Sequence, residues 1–193
     1  MKNHSSPLRE DLLNLLAKYA YQEGDFILSS GQKSNFYLNG KQVTLRADGS
    51  LLVGKLILPL LPPNTHAVAG LTLGADPIVT AVSVVSAYEN CPIPALIIRK
   101  EAKGHGTKAY IEGPNLEPNA NVVVLEDVVT TGKSALLAVE RLREAGYQVQ
   151  KIISLVDRTS GGAELYKSQN LEFESIFTIH DIQTRYQQLA INN

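Results

Sequence analysis

Short apolar segments alternate with helical segments after residue 65, and this alternation restricts the fold more than any other feature of the sequence. The segments HAVAG, PALIIRK, NVVVLED, VQKIISLVD and EFESIFTI each have the length of one strand. Helices are predicted between them, from about 77 to 88 and from 134 to 145. NVVVLED is apolar over four consecutive residues, as is typical of a strand buried on both faces. The pattern predicts an α/β fold with a central parallel β-sheet flanked by helices.

Two further helices are predicted ahead of this alternation. Ser6 and Pro7 are typical of a helix start, and apolar residues at helical spacing continue toward Gly24, where we expect the helix to end. A second helix is predicted from about 48 to 58, before the Pro62-Pro63 pair. The sequence has neither an internal repeat nor a low-complexity linker, so we expect a single domain over 1–193.

The composition argues against several classes of partner. Lysine and arginine total 18 against 19 aspartates and glutamates, so the net charge of -1 favours neither nucleic acid nor a membrane surface. No apolar run approaches the ~20 residues of a membrane helix. Cys91 is the only cysteine, which excludes an intramolecular disulfide, and we expect it to be buried. These features predict a cytoplasmic protein with no nucleic-acid partner and no membrane association.

Four predicted strands are followed by loops with unusual chemistry. These loops cover residues 70–76, 99–113, 126–134 and 157–162. Ligands of open parallel sheets bind beyond the carboxyl ends of the strands. We therefore expect the four loops to converge on one crevice.

The stretch EDVVTTGKS, residues 126–134, contains the last half of a nucleotide-binding P-loop motif. That motif requires a glycine five residues before the Gly132-Lys133-Ser134 triplet, and this position is Asp127. A carboxylate there would repel phosphates and remove a close backbone approach. The sequence argues against a P-loop enzyme.

A ligand carrying both vicinal hydroxyls and a phosphate fits the same stretch better. Glu126 and Asp127 stand at a strand end, where ionised carboxylates would accept hydrogen bonds from sugar hydroxyls. Residues 130–134 supply hydroxyls and amides at a helix start, which suits a monophosphate. A strand, a turn and a polar N-cap with no ligand is the alternative interpretation.

The longer stretch VVVLEDVVTTGKS resembles the 5-phosphoribosyl 1-diphosphate (PRPP) motif of the type I phosphoribosyltransferases. The resemblance implies the type I phosphoribosyltransferase fold, with a small hood built mainly from the N-terminal segment, about 1–45, over a core of about 46–180. It implies no metal site built by the protein alone, because Mg²⁺ is carried by PRPP near the two acids. The implied PRPP-binding residues of the motif are Glu126, Asp127, Val128, Val129, Thr130, Thr131, Gly132, Lys133 and Ser134.

The segment RKEAKGHG is similar to the catalytic loop of orotate phosphoribosyltransferases. The resemblance implies that Arg99, Lys100, Lys103 and His105 are both catalytic and PRPP-binding, with Lys103 the main contributor. In chemical terms, up to four cationic donors would hold a diphosphate and then release it. A solvated basic loop is the alternative.

Two segments resemble the orotate-binding parts of the same enzymes. FILSSGQKSNFYL is similar to the segment that covers orotate, which implies contacts from Ser29, Ser30 and Tyr37 in addition to Thr130; a surface hairpin is the alternative. Arg158 follows a predicted strand, where the family uses an arginine to hold orotate. A guanidinium suits a carboxylate because it donates two parallel hydrogen bonds.

The resemblance covers residues from about 8 to 180. It implies Mg²⁺-dependent transfer of ribose 5-phosphate from PRPP to orotate, giving orotidine 5'-monophosphate and diphosphate in pyrimidine (UMP) biosynthesis. It also implies a homodimer with shared active sites. The chain has Ser29 where many members carry lysine, and Leu73-Gly74 where they carry tyrosine and lysine. A purine or uracil phosphoribosyltransferase and a non-catalytic PRPP-binding regulator remain as alternatives.

Overall fold

The computed structural model describes residues 6–27, 33–102 and 110–191. Within these ranges the main sheet has the strand order β5-β4-β3-β6-β7-β8, and a separate two-stranded sheet pairs β1 with β2. The strands are β1 Tyr21–Ile27, β2 Lys33–Leu38, β3 Ala67–Leu71, β4 Ala95–Ile98, β5 Ile111–Glu112, β6 Val122–Val129, β7 Lys151–Asp157 and β8 Glu172–Thr178. The helices are α1 Pro7–Leu15, α2 Lys41–Thr44, α3 Ala47–Ile57, α4 Asp76–Tyr88, α5 Lys133–Glu144, α6 Gly162–Ser168 and α7 Ile179–Ile191.

The main sheet is parallel from β4 to β8, and only its edge strand β5 runs antiparallel. Successive residues of β6 point to opposite faces, so Val123 and Leu125 join one core cluster while Val122 and Val124 join the other. The first cluster includes residues of α1, α3, α4 and α7, and the second includes residues of α5 and α6. The predicted α/β fold, with a mostly parallel sheet between helical layers, is confirmed.

The N-terminal segment differs from the prediction in one respect. Helix α1 begins at Pro7, with the Ser6 hydroxyl accepting a hydrogen bond from the Arg9 amide, and continues as a π-helical turn over Leu16–Ala20. The expectation that Gly24 ends the helix is wrong, because Gly24 lies inside β1. Tyr21 is buried against α7 and starts the strand instead, so tertiary packing ended the helix before the glycine.

Two further observations concern the surface. Cys91 is exposed, so the expectation that it is buried is wrong; it follows the end of α4 in the turn that leads to β4. No helix among the described residues is long and apolar enough to cross a membrane.

Candidate active site

The loops after β3, β6 and β7 meet at one edge of the main sheet. A side chain at Gly74, after β3, would place its Cβ 2.5 Å from Oδ1 of Asp127, at the end of β6. The Arg158 amide, after β7, donates a hydrogen bond to the Val129 carbonyl across 2.9 Å. The strands that carry these loops are neighbours in the sheet and run in the same direction. The predicted convergence therefore holds for these three loops.

The turn between β6 and α5 forms an open helix start. Gly132 precedes α5 in the left-handed conformation, with φ of 82°, and no side chain caps the first turn of the helix. Its amides and the positive end of the helix dipole therefore face the turn. We call residues 130–134 the phosphate loop. A cavity of about 80 Å³ is lined by this loop together with Glu126, Val128, Val129, Ala135 and Tyr166.

The two acids before the phosphate loop have different environments. Glu126 is 7% exposed, and its Oε2 has no hydrogen-bond partner among the described residues. Burial, followed by the charge of Asp127, raises the pKa of Glu126 well above its ordinary range, while the Lys100 ammonium acts in the opposite direction. Asp127 is half-buried, and its Oδ1 accepts the Val128 amide across 2.9 Å. One oxygen of the buried Glu126 carboxyl thus has no partner among the described residues, whereas Asp127 is held by the Val128 amide.

Arg158 lies on an aromatic surface beside this crevice. Its guanidinium carbon is 4.5 Å from the centre of the Phe36 ring, and burial lowers the pKa of Arg158. Tyr37 follows Phe36 on β2 and therefore points to the other face of the hairpin, where its ring lies 5.5 Å from that of Phe26. The structure brings Phe36, rather than Tyr37, next to Arg158. Ser29 and Ser30 lie outside the described residues.

Part of the predicted basic loop can be located. Arg99 is half-buried and pairs with Glu112 on β5 across 3.2 Å, while Lys100 is exposed. Arg141 of α5 contacts residues on both sides of the segment 103–109. It donates a hydrogen bond to the Lys100 carbonyl across 2.8 Å, and its guanidinium carbon lies 3.9 Å from the centre of the Tyr110 ring. Lys103 and His105 lie outside the described residues.

The carboxylates at this edge fit a metal ion that arrives with a phosphate ligand. No group of three or more histidine, cysteine, aspartate or glutamate side chains suitable for a metal occurs in the described ranges. Mg²⁺ is commonly held by one or two carboxylates plus substrate phosphates. Glu126, with its unpartnered oxygen, and the adjacent Asp127 supply that donor set.

Sequence reasoning missed two contributors to this site. Tyr166 of α6 lines the cavity beneath the phosphate loop, 40 residues after Glu126 along the chain. Gly74 gives Asp127 the room it occupies, whereas the family resemblance marks this position only by the absence of a lysine. The only sequence signal for Tyr166 is its spacing of four residues from Gly162, which would place both residues on the same face of a helix.

Comparisons with known proteins identify the family of this chain. The family model described as uracil phosphoribosyltransferase matches residues 78–170. An orotate phosphoribosyltransferase from Nostoc is 71% identical over 185 residues, covering 96% of this chain and 90% of the relative. The crystal structure of the Mycobacterium tuberculosis orotate phosphoribosyltransferase with Fe(III) dicitrate has a TM-score of 0.80 and 35% identity, covering 91% of this chain and 99% of the other. The same enzyme in complex with PRPP has a TM-score of 0.77 and 32% identity, covering 92% and 99% of the two chains. The chain therefore belongs to the orotate phosphoribosyltransferase family of the type I phosphoribosyltransferases.

Proposed function

We propose that this protein transfers ribose 5-phosphate from PRPP to N1 of orotate, releasing diphosphate and forming orotidine 5'-monophosphate. The observation that carries the proposal is the combination at one sheet edge of two adjacent acids, an open helix start and an arginine on an aromatic ring. The first two suit a ribose and its phosphate. The third suits a planar base that bears a carboxylate. The proposed setting is pyrimidine biosynthesis in the cytoplasm.

The phosphate loop binds the 5'-phosphate in this proposal. Thr130, Thr131, Lys133 and Ser134 offer side-chain donors around the amides of the loop, and the α5 dipole favours the negative charge. Glu126 and Asp127 accept hydrogen bonds from the ribose hydroxyls. Val128 and Val129 contribute through the strand that positions these groups.

Orotate lies between the phosphate loop and the hairpin in this proposal. Arg158 donates to the orotate carboxylate, and the Phe36 ring, which supports the guanidinium, closes one side of the pocket. Thr130 lies next to the base, and Ser29, Ser30 and Tyr37 complete the hood by the family resemblance. The division into a hood of about 1–45 and a core of about 46–180 is part of the proposal.

Cationic side chains bind the departing diphosphate in this proposal. Charge builds on this group as the bond to the ribose breaks, so donors aimed at it lower the barrier. Arg99, Lys100, Lys103 and His105 supply the donors, with Lys103 the main contributor. Arg99 must leave its ion pair with Glu112 to contact the diphosphate. Because that ion pair is half-exposed to water, breaking it costs little free energy. Glu126 and Asp127 would hold the Mg²⁺ that accompanies PRPP, and the bound ion would neutralise charge on the diphosphate.

The active enzyme is proposed to be a homodimer in which the basic loop of one subunit serves the site of the other. Large apolar side chains are exposed on or beside α2, α3 and α4 and suit such a contact. They are Leu45, Leu51, Leu73, Val84 and Tyr88.

A uracil phosphoribosyltransferase is the second candidate, because the matching family model carries that description. Uracil lacks the carboxylate that orotate carries. An arginine beside the base would then have no anionic partner, so Arg158 favours orotate.

One assay tests the proposal. The protein is mixed with Mg²⁺, PRPP and orotate, and the loss of orotate absorbance is followed, with uracil, adenine and hypoxanthine in parallel. We expect consumption of orotate alone. Consumption of uracil without orotate would establish the second candidate, and PRPP binding without turnover of any base would favour a non-catalytic regulator.

A further inference from the structure

Two buried polar atoms without partners belong to residues that line the cavity beneath the phosphate loop, and the proposed ligand contacts give a role to only one of these residues, Glu126. Tyr166 is fully buried, and its hydroxyl has no hydrogen-bond partner in the described parts of the chain. The same holds for Oε2 of Glu126. Both residues line the cavity of about 80 Å³. Buried polar atoms without partners destabilise a fold and are rare, so their occurrence together points to a role in ligand binding.

Helix α6 fixes the position of the Tyr166 ring. Gly162 and Tyr166 are four residues apart and share the helix face that packs against the phosphate loop. A Cβ at Gly132 would lie 2.9 Å from Cε1 of Tyr166, so the ring lies directly under the loop. The Phe173 ring contacts it edge-on, with 5.1 Å between centres. The hydroxyl is therefore held at a defined point below the loop.

The chemistry of the hydroxyl is that of a donor. Burial raises the pKa of Tyr166, and the carboxylates of Glu126 and Asp157 raise it further, so the phenol keeps its proton. Glu126 and Tyr166 line the same small cavity, which brings the two residues to one site. Asp157 accepts the Thr159 amide through Oδ1 across 2.8 Å.

We propose that Tyr166 is a positioning residue for ribose recognition, whose hydroxyl holds the Glu126 carboxylate through one water bound in their shared cavity. A water needs a cavity of at least about 10–15 Å³ and two to four polar partners, and this site meets both conditions. The fixed carboxylate then presents its other oxygen to a ribose hydroxyl. The inference rests on the proposed function, since it assumes that Glu126 binds the ribose.

The test uses Tyr166→Phe, which keeps the ring packed against Gly132 and removes only the hydroxyl. Binding of ribose 5-phosphate and of inorganic phosphate is measured by calorimetry on the full chain. We expect ribose 5-phosphate to bind about tenfold more weakly, as for one lost hydrogen bond to a charged group, while inorganic phosphate binds as in the wild type. KM for PRPP should rise with little change in kcat. The unliganded variant should unfold at the wild-type temperature or above, because the lost hydroxyl has no protein partner.

A double-mutant cycle assigns the effect to Glu126. In a Glu126→Gln background, Tyr166→Phe should cause no further loss of ribose 5-phosphate binding. Tyr147→Phe, which removes a hydroxyl from another buried tyrosine of the same core cluster, should bind both ligands normally. Unchanged ribose 5-phosphate binding, an equal loss for inorganic phosphate, or additive effects in the cycle would each overturn the inference. Wild-type protein that binds ribose 5-phosphate but consumes no orotate would refute the proposed function alone.

Discussion

Glu126 destabilises the folded protein in a way that its proposed role explains. Its pKa is raised by burial first and by Asp127 second, so the folded chain keeps a proton that the unfolded chain has lost. Stability therefore falls as pH rises from the ordinary glutamate range through the raised pKa, and the full loss remains above it. An acid retained at such a cost is expected to serve a ligand.

Replacing this acid should separate stability from binding. We expect Glu126→Gln to raise the free energy of unfolding at pH 8 by about 1–3 kcal/mol, because the neutral amide removes the cost of ionising a buried carboxyl or of keeping it protonated. The gain should shrink as pH falls toward the ordinary glutamate pKa. Urea unfolding at pH 8 and pH 5 measures both, and the KM for PRPP should rise at pH 8. A variant less stable than wild type at pH 8 would contradict the account.

Arg158 offers a test of base recognition at one side chain. Arg158→Lys keeps a positive charge but loses the two parallel donors and the flat contact with Phe36. KM for orotate should rise about 10- to 100-fold while KM for PRPP changes little. Arg9→Lys is the control, because Arg9 of α1 lies at the same distance of 4.5 Å from the centre of an aromatic ring, that of Phe177. Equal effects of both substitutions would show that the arginine acts through packing.

Five of the six strands of the main sheet were predictable because each carries its own local signal, whereas the two-residue strand β5 lies inside the predicted loop 99–113. The continuous apolar run of β6 and the apolar stretch of β7 have few other ways to be buried. Helix α6 was missed because its seven residues are too few for a clear periodicity. The two acids of the site follow from the motif, whereas the contact of Tyr166 with the phosphate loop depends on tertiary packing that no spacing in the sequence encodes.

The basic loop between β4 and β5 is expected to supply most of the rate enhancement. Removing one donor to a developing charge costs about 100- to 1000-fold in turnover. Lys103→Ala should therefore lower kcat by about this factor and leave the affinity for orotate nearly unchanged. Single-turnover assays and an orotate titration measure the two quantities. Normal turnover would show that the loop was assigned incorrectly.

Arg141 should matter for the same loop without touching a ligand. It contacts the Lys100 carbonyl and the Tyr110 ring, which lie on either side of residues 103–109. Arg141→Lys should lower kcat about tenfold, since the loop ends lose a charged hydrogen bond and a stacked contact, with KM for orotate unchanged. Arg143→Lys is the control on the same helix, because Arg143 donates to the Val149 carbonyl instead. If Arg143→Lys lowers kcat as much, the effect belongs to α5 and not to the loop.

The whole molecule has a net charge of -1 but must attract a highly anionic substrate. Its cations must therefore act locally, and the family resemblance implies that this chain has Ser29 and Gly74 at two positions where many members carry lysine. Leu73 is 71% exposed beside the site, so it adds apolar surface next to Gly74, the position where the family resemblance implies a lysine. A second subunit that brings its own basic loop would restore positive charge at the site.

Mixing two inactive variants tests whether subunits share their sites. Lys103→Ala removes the loop donor, and Arg158→Ala removes the base contact, so each variant alone should have little activity. If the loop serves the neighbouring subunit, a hybrid dimer has one intact site, formed by Arg158 of one chain and Lys103 of the other. Unfolding and refolding an equal mixture gives hybrids as about half of the dimers, and so about a quarter of the wild-type activity. Sedimentation should show a dimer at the same concentration. A dimeric mixture that stays inactive would place each loop in its own subunit's site. A monomer in the sedimentation experiment would contradict the proposed dimer itself.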